Sequence, residues 1–356
     1  MVGRVVGIEK GFCMRQSRAV AYLTAVASSS CLVMSAALPA SADTSQHHAS
    51  DCQAERLATP AESDMSIVVA SDPSGRWMTG TNTFDFHDHT VVWHNGAPKQ
   101  LRLSEYTAAT SGAINARGMV AGDALHDGQA VGFVYSHRSV VELARPEGME
   151  YVTITGIDRR GNVSGWAMPG DSSTAAAYVW RADDPAHPSK LDVPDGFATA
   201  VGSSADGHIA VLVTGDDGGF RSFVFSRNLH PTELTGSAAG YQVAVSGIAN
   251  GWVAGREVPT AGSGKKPHSV RWNLQTGELQ IVPVAFSAAA AVNGSGVVGG
   301  ETGTGINRKA VLYGDALTTL PSFGGAPDVA VVTDAGDAAG SAELAGAPVA
   351  VLWTCD

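Results

Sequence analysis

Gly156-Ile157-Asp158-Arg159-Arg160-Gly161-Asn162-Val163-Ser164-Gly165, followed by Ala177-Tyr178-Val179-Trp180, decides the fold. The Asp-to-Gly step predicts a tight hairpin turn. The aspartate can bond its own backbone there, and the glycine supplies a positive φ. The flanking apolar residues alternate with period two, as a half-buried strand requires. The third copy reads as four short strands, near 153–157, 163–167, 176–180 and 190–193.

The same pattern runs through the chain. Turn glycines recur at Gly75, Gly118, Gly161, Gly207, Gly251, Gly296 and Gly336, spaced 40 to 46 residues apart. A second glycine follows at Gly80, Gly122, Gly165, Gly255, Gly300 and Gly340, with Val211 in the fourth copy. An aromatic closes each third strand: Trp93, Tyr135, Trp180, Phe225, Trp272, Tyr313 and Trp353. A leucine comes next, at Leu101, Leu143, Leu191, Leu234, Leu279 and Leu320. Four strands in about 45 residues mark a β-propeller blade, so the expectation is an all-β, seven-bladed propeller. The repeated Asn and Asp read as turn formers, and the aromatics as packing between sheets.

The seventh copy lacks its fourth strand. Residues 52–58 supply one, with Leu57 in place of the missing leucine. The N-terminal strand is therefore expected to complete the last blade. Cys52 and Cys355 would then be joined by a disulfide where other blades have a hairpin. Ring closure also removes the open sheet edges that invite aggregation.

Arg15 and Arg18 precede an apolar run that ends in Ala40-Ser41-Ala42. This reads as a secretory signal over 1–42, with Met1 or Met14 as the start. The run is short and broken by serines, which argues against a membrane span. Residues 43–51 read as a flexible mature N-terminus, and 52–356 as one propeller domain. Cleavage also removes Cys13 and Cys31, and the two cysteines that remain suit an exported, oxidised chain.

The chain of 356 residues has 42 glycines, 44% hydrophobic residues and a net charge of −11. Glycine near 12% is above the ~7% average and fits many turns. The acidic balance argues against nucleic acid and favours a cationic or neutral partner.

Gly112-Ala113-Ile114-Asn115-Ala116-Arg117-Gly118-Met119-Val120-Ala121-Gly122, with Ala130-Val131-Gly132-Phe133-Val134-Tyr135, resembles the HAF repeat family of bacterial extracellular proteins. So does the stretch at 156–180. The resemblance implies export and a propeller-like fold, and it carries no catalytic residues.

The most polar expected loop between strands two and three is Asp85-Phe86-His87-Asp88-His89 in the first copy. His126 and Asp127 fall at the corresponding place in the second. Neighbouring blades could bring these residues together as a ligand site, and His87, His89 and His126 are candidate metal ligands. Asp216-Asp217-Gly218 lacks the spaced carboxylates of a calcium loop. Gly262-Ser263-Gly264-Lys265-Lys266 lacks the first glycine and the final Ser/Thr of a phosphate loop. No cofactor is implied. The leading expectation is a secreted, monomeric, non-enzymatic scaffold for an extracellular protein, peptide or glycan. The alternative is an extracellular hydrolase or lyase using the loops between strands two and three.

Overall fold

A computed structural model describes residues 52–355, apart from 61–62, 85–86 and 287–290. The expected signal peptide and mature N-terminus lie outside these residues. Among the described residues, strands form seven separate four-stranded sheets, and one 3₁₀ turn spans Gly305–Asn307. No described helix is long and apolar enough to cross a membrane.

Six blades are simple antiparallel meanders in chain order. Blade 1 illustrates them, with strands Met65–Ser71, Trp77–Phe84, His87–His94 and Ala97–Gln100. The first strand of each blade lies nearest the central axis, and the ring closes between Met65–Ser71 and Pro327–Val332. In blade 7, Gln53–Arg56 pairs with Ala347–Thr354, with Gln53 opposite Thr354. The Cys52–Cys355 disulfide joins the two ends at that point. The N-terminal strand thus closes the ring as expected.

Seven clusters of buried apolar side chains fill the seven seams between blades. The closing aromatics stand in these seams, with Trp93, Trp180, Phe225 and Trp353 fully buried. A buried indole needs a partner for its N–H. Trp93, Trp180 and Trp353 donate to the carbonyls of Ala58, Ala144 and Pro321 at 2.7, 2.8 and 3.0 Å. Each of these residues directly follows the preceding blade's leucine: Leu57, Leu143 or Leu320.

The Asp158 turn forms as expected. Its Oδ1 accepts the N–H groups of Arg160, Gly161 and Asn162 at 2.8 to 2.9 Å, and Gly161 has φ 98°. The second glycine has a different cause. Each first strand except the short one of blade 6 carries a β-bulge. The bulge brings a carbonyl over the neighbouring strand. A Cβ on Gly80 would stand 1.9 Å from the Ile67 oxygen, and one on Gly340 1.9 Å from that of Asp328. Blade 4 keeps its bulge with the buried Val211, and nothing in the structure explains how.

Two expectations need correction. The fourth strand of blade 3 is Asp184–Lys190, not 190–193. Pro185 and Pro188 obscure it in the sequence, but an outermost strand tolerates proline on its unpaired edge. In blade 5 the residue matching the repeat leucine is Val282, opposite Ser269, whereas Leu279 pairs with Trp272.

Candidate functional site

All seven first strands line a central channel of about 470 Å³. Its walls are mostly backbone and small side chains, such as Gly112, Gly156, Gly202 and Ala330, with hydroxyls from Thr155 and Ser203. Asp328 and Asp334 are its charged lining residues among those described.

The sequence-predicted site residues sit differently from expectation. Asp85 lies outside the described residues. His87, Asp88 and His89 belong to the third strand of blade 1, opposite Phe84, Thr83 and Asn82. Alternation therefore sends Asp88 to the other face from the two histidines. Asp88 accepts the Thr83 hydroxyl at 2.7 Å. His126 ends the second strand of blade 2, and Asp127 with Gly128 forms the two-residue turn after it, both at positive φ. His126 Nδ1 lies 2.8 Å from Glu142 Oε2, and its ring packs on Tyr106 at 4.8 Å. The described residues contain no group of three His, Cys, Asp or Glu placed to hold a metal. His87, His89 and His126 are therefore not gathered into one.

The sequence reading missed a set of interior polar residues. Three positions before each closing aromatic, blades 1, 4 and 5 have Thr90, Ser222 and Ser269. These hydroxyls bond the next blade. Thr90 donates to Ala109 O at 3.0 Å, Ser222 accepts from Val245 N–H at 3.1 Å, and Ser269 accepts from Phe286 N–H at 3.0 Å. Blades 2 and 6 have Gly132 and Ala310 there and lack the hydroxyl. In these two blades the cross-strand partner is an acid, Asp123 opposite Gly132 and Glu301 opposite Ala310, whereas blades 3 and 7 place Ala177 opposite Trp166 and Ala350 opposite Ser341. Asp123 Oδ1 accepts Ile154 N–H at 3.3 Å, and Glu301 Oε1 accepts Val329 N–H at 2.7 Å. A carboxylate reaching across thus replaces a hydroxyl.

Burial pushes the Asp123 carboxyl up to about 6, against the opposing hydrogen bonds from Ile154 N–H and the Thr110 hydroxyl. Glu301, fully buried, is pushed up to about 7, first by burial and then by its hydrogen-bonded neighbour Asp328. Raised folded values mean that folding favours the protonated acids. Their stabilisation is complete below the ordinary values of 3.8 and 4.5. It is lost as pH rises through about 6 and about 7. The limiting cost is about 3 kcal/mol per acid. Melting temperature is therefore expected to fall between about pH 4 and about pH 7 and to level off above that. Asp123→Asn with Glu301→Gln should flatten that slope in a thermal-melt series, and an unchanged slope would refute the assignment.

The ring resembles several solved structures. It is similar to an oligogalacturonate lyase in complex with manganese, at 10% identity over 87% of this chain and 94% of that one, with a TM-score of 0.64. It is also similar to the propeller domain of the Trilobed protease from Pyrococcus furiosus, at 8% identity, 83% and 95% coverage and a TM-score of 0.58. Virginiamycin B lyase from Staphylococcus aureus aligns at 12% identity, 86% and 99% coverage and a TM-score of 0.53. No family model matches the sequence, and no curated protein does. At such identities the likeness speaks for architecture alone, and that architecture is the seven-bladed β-propeller.

Proposed function

We propose that this chain is an exported, monomeric propeller that binds an extracellular protein, peptide or glycan without transforming it. The observation that carries the reading is where the reactive side chains are used. Asp123 and Glu301 tie blade to blade, and Glu257 accepts the Ser237 hydroxyl at 3.0 Å from the linker between blades 4 and 5. His126 and His187 are engaged by Glu142 and Asp184. A rigid ring with its polar groups so committed suits presentation of a surface. Export is supported by the signal-like residues 1–42 and by the Cys52–Cys355 disulfide, which belongs in an oxidising compartment. Prolines on the outer strands, at Pro98, Pro185, Pro188 and Pro231, discourage edge-to-edge association and favour a monomer.

One observation favours the enzymatic alternative. Asn82 is 1% exposed, its Oδ1 has no hydrogen-bond partner among the described residues, and it stands opposite His89. A screen of glycans and peptides, following both binding and cleavage, separates the two readings. Saturable binding with intact ligand is expected. Cleavage abolished by His87→Ala would replace the scaffold with a hydrolase or lyase.

A further inference from the structure

The turns between first and second strands all emerge at one end of the ring, and hydrogen bonds link them from blade to blade. Asn115 Nδ2 donates to Asp158 O at 2.9 Å, and Arg159 N–H to Ala205 O at 3.0 Å. On blades 1, 2 and 3 these turns carry Arg76, Arg117, Arg159 and Arg160, all exposed. Arg138, in the outer hairpin of blade 2, adds a fifth at the same end, with φ 66°. None of the five forms an ion pair with a described acid. The acids of those turns point inward instead. Asp72 is 1% exposed and bonds Trp77 N–H at 2.7 Å, and Asp158 is 6% exposed within its own turn. Blades 4 and 7 have Asp206 and Asp334 in the corresponding turns. Among the turns between first and second strands, arginine is thus confined to an arc of three adjacent blades, while the outer hairpins at the same end add Asp183, paired with Arg181, and Asp184 on blade 3, and Arg227, paired with Asp206, on blade 4.

Aromatic surface interrupts the arc. The exposed His94 ring stacks on Trp77 at 3.9 Å and 14°. The Trp77 ring in turn covers Gly118 of the next turn, about where a Cβ would meet it at 3.0 Å. Arg76 Nη2 reaches Ala116 O at 3.2 Å, so the first two arginines flank this platform.

We propose that this arc binds a carboxylate-bearing glycan, resting on the reading of the chain as an extracellular scaffold. A guanidinium grips a carboxylate with two parallel hydrogen bonds. A flat ring platform beside it offers an apolar face to a sugar. The acids on blades 4 and 7 bound the arc and limit the footprint to a short segment. The net charge of −11 repels any long polyanion, uronate or phosphate alike, so a short segment is favoured and the apolar sugar face against the ring platform is what separates a uronate from a phosphate. The acidic composition suggests a cationic or neutral partner, and the segregation of arginines reverses that expectation at this surface.

The test is titration calorimetry of the exported chain with alginate oligomers, a linear polyuronate. A neutral glucan of equal length and polyphosphate serve as comparators. Saturable alginate binding is expected, weakened by salt, with little affinity for the glucan. Arg117→Gln with Arg159→Gln should weaken it by at least about tenfold at unchanged melting temperature. His94→Ala should weaken it less, and Lys266→Gln, distant in blade 5, should leave it unaltered. Equal binding of polyphosphate, or of alginate by the double variant, would overturn the proposal. If alginate fails while a neutral glycan or a peptide binds, the arc proposal falls and the scaffold reading stands. If alginate binds and is shortened, the scaffold reading falls and the arc stands.

Discussion

Replacing Cys52 and Cys355 together with serine is expected to cost roughly 3–5 kcal/mol of stability and to open the ring between blades 7 and 1. The bond closes a loop of 303 residues, and loop-closure entropy grows with length. Local structure offers little substitute. The N-terminal strand, Gln53–Arg56, has only four residues, mostly exposed. Yet two buried contacts depend on its being docked. Leu57 is 4% exposed in the cluster between blades 7 and 1, and the Ala58 carbonyl accepts the Trp93 indole. Releasing the strand bares both. Denaturant melts of the double-serine protein, with limited proteolysis, measure the effect. Cleavage is expected between residues 56 and 65. A midpoint equal to that of the disulfide-bonded protein would show that pairing alone holds the ring.

Trp180→Ala is expected to cost about 3–5 kcal/mol through the cavity it leaves. Trp180 is fully buried between blades 2 and 3, beside Leu143, Ile154 and Tyr178. The strands around it are held by backbone ladders and by the Asp123 tie, so the seam cannot collapse freely. Trp180→Phe separates shape from hydrogen bonding. Phe225 fills the same place in blade 4 and is fully buried. A phenyl ring therefore fits the position, and the loss should be near 1–2 kcal/mol, most of it from the unpaired Ala144 carbonyl. Equal losses for the two variants would contradict the packing role.

The repeat was legible because its markers are local. A turn needs Asp or Asn followed by glycine at fixed spacing, as at Asp158 and Gly161, and a seam needs a ring at a fixed strand position. The closing disulfide was legible by counting, because blade 7 stopped one strand short. The fourth strand of blade 3 was not. Its prolines contradict strand propensity, and only its position at the edge excuses them. The histidines at 87 and 89 were read as lying in a loop, and they stand in a strand. Histidine and aspartate near one another in sequence suggest a loop site, but strand pairing sends His87 and Asp88 to opposite faces. Asp123 and Glu301 were underread, since their meaning depends on what stands across the strand. An acid opposite Gly132 or Ala310 marks the missing hydroxyl, and no single-strand pattern reveals that. The arginine arc was visible as residues but not as a surface, because Arg76, Arg117 and Arg159 are some forty residues apart in the chain.

The interchange of hydroxyl and carboxyl at the seams means that the blades are repeated but not interchangeable. Glu301 is shaped to meet the Val329 amide, and Thr90 to meet the Ala109 carbonyl. Moving one blade past another would set a donor against a donor, or leave a buried acid facing apolar wall. Such a mismatch leaves a buried polar group unsatisfied. Gain or loss of a single repeat, the simplest change open to a tandem gene, is thereby discouraged. The individuality of its junctions guards the count of seven.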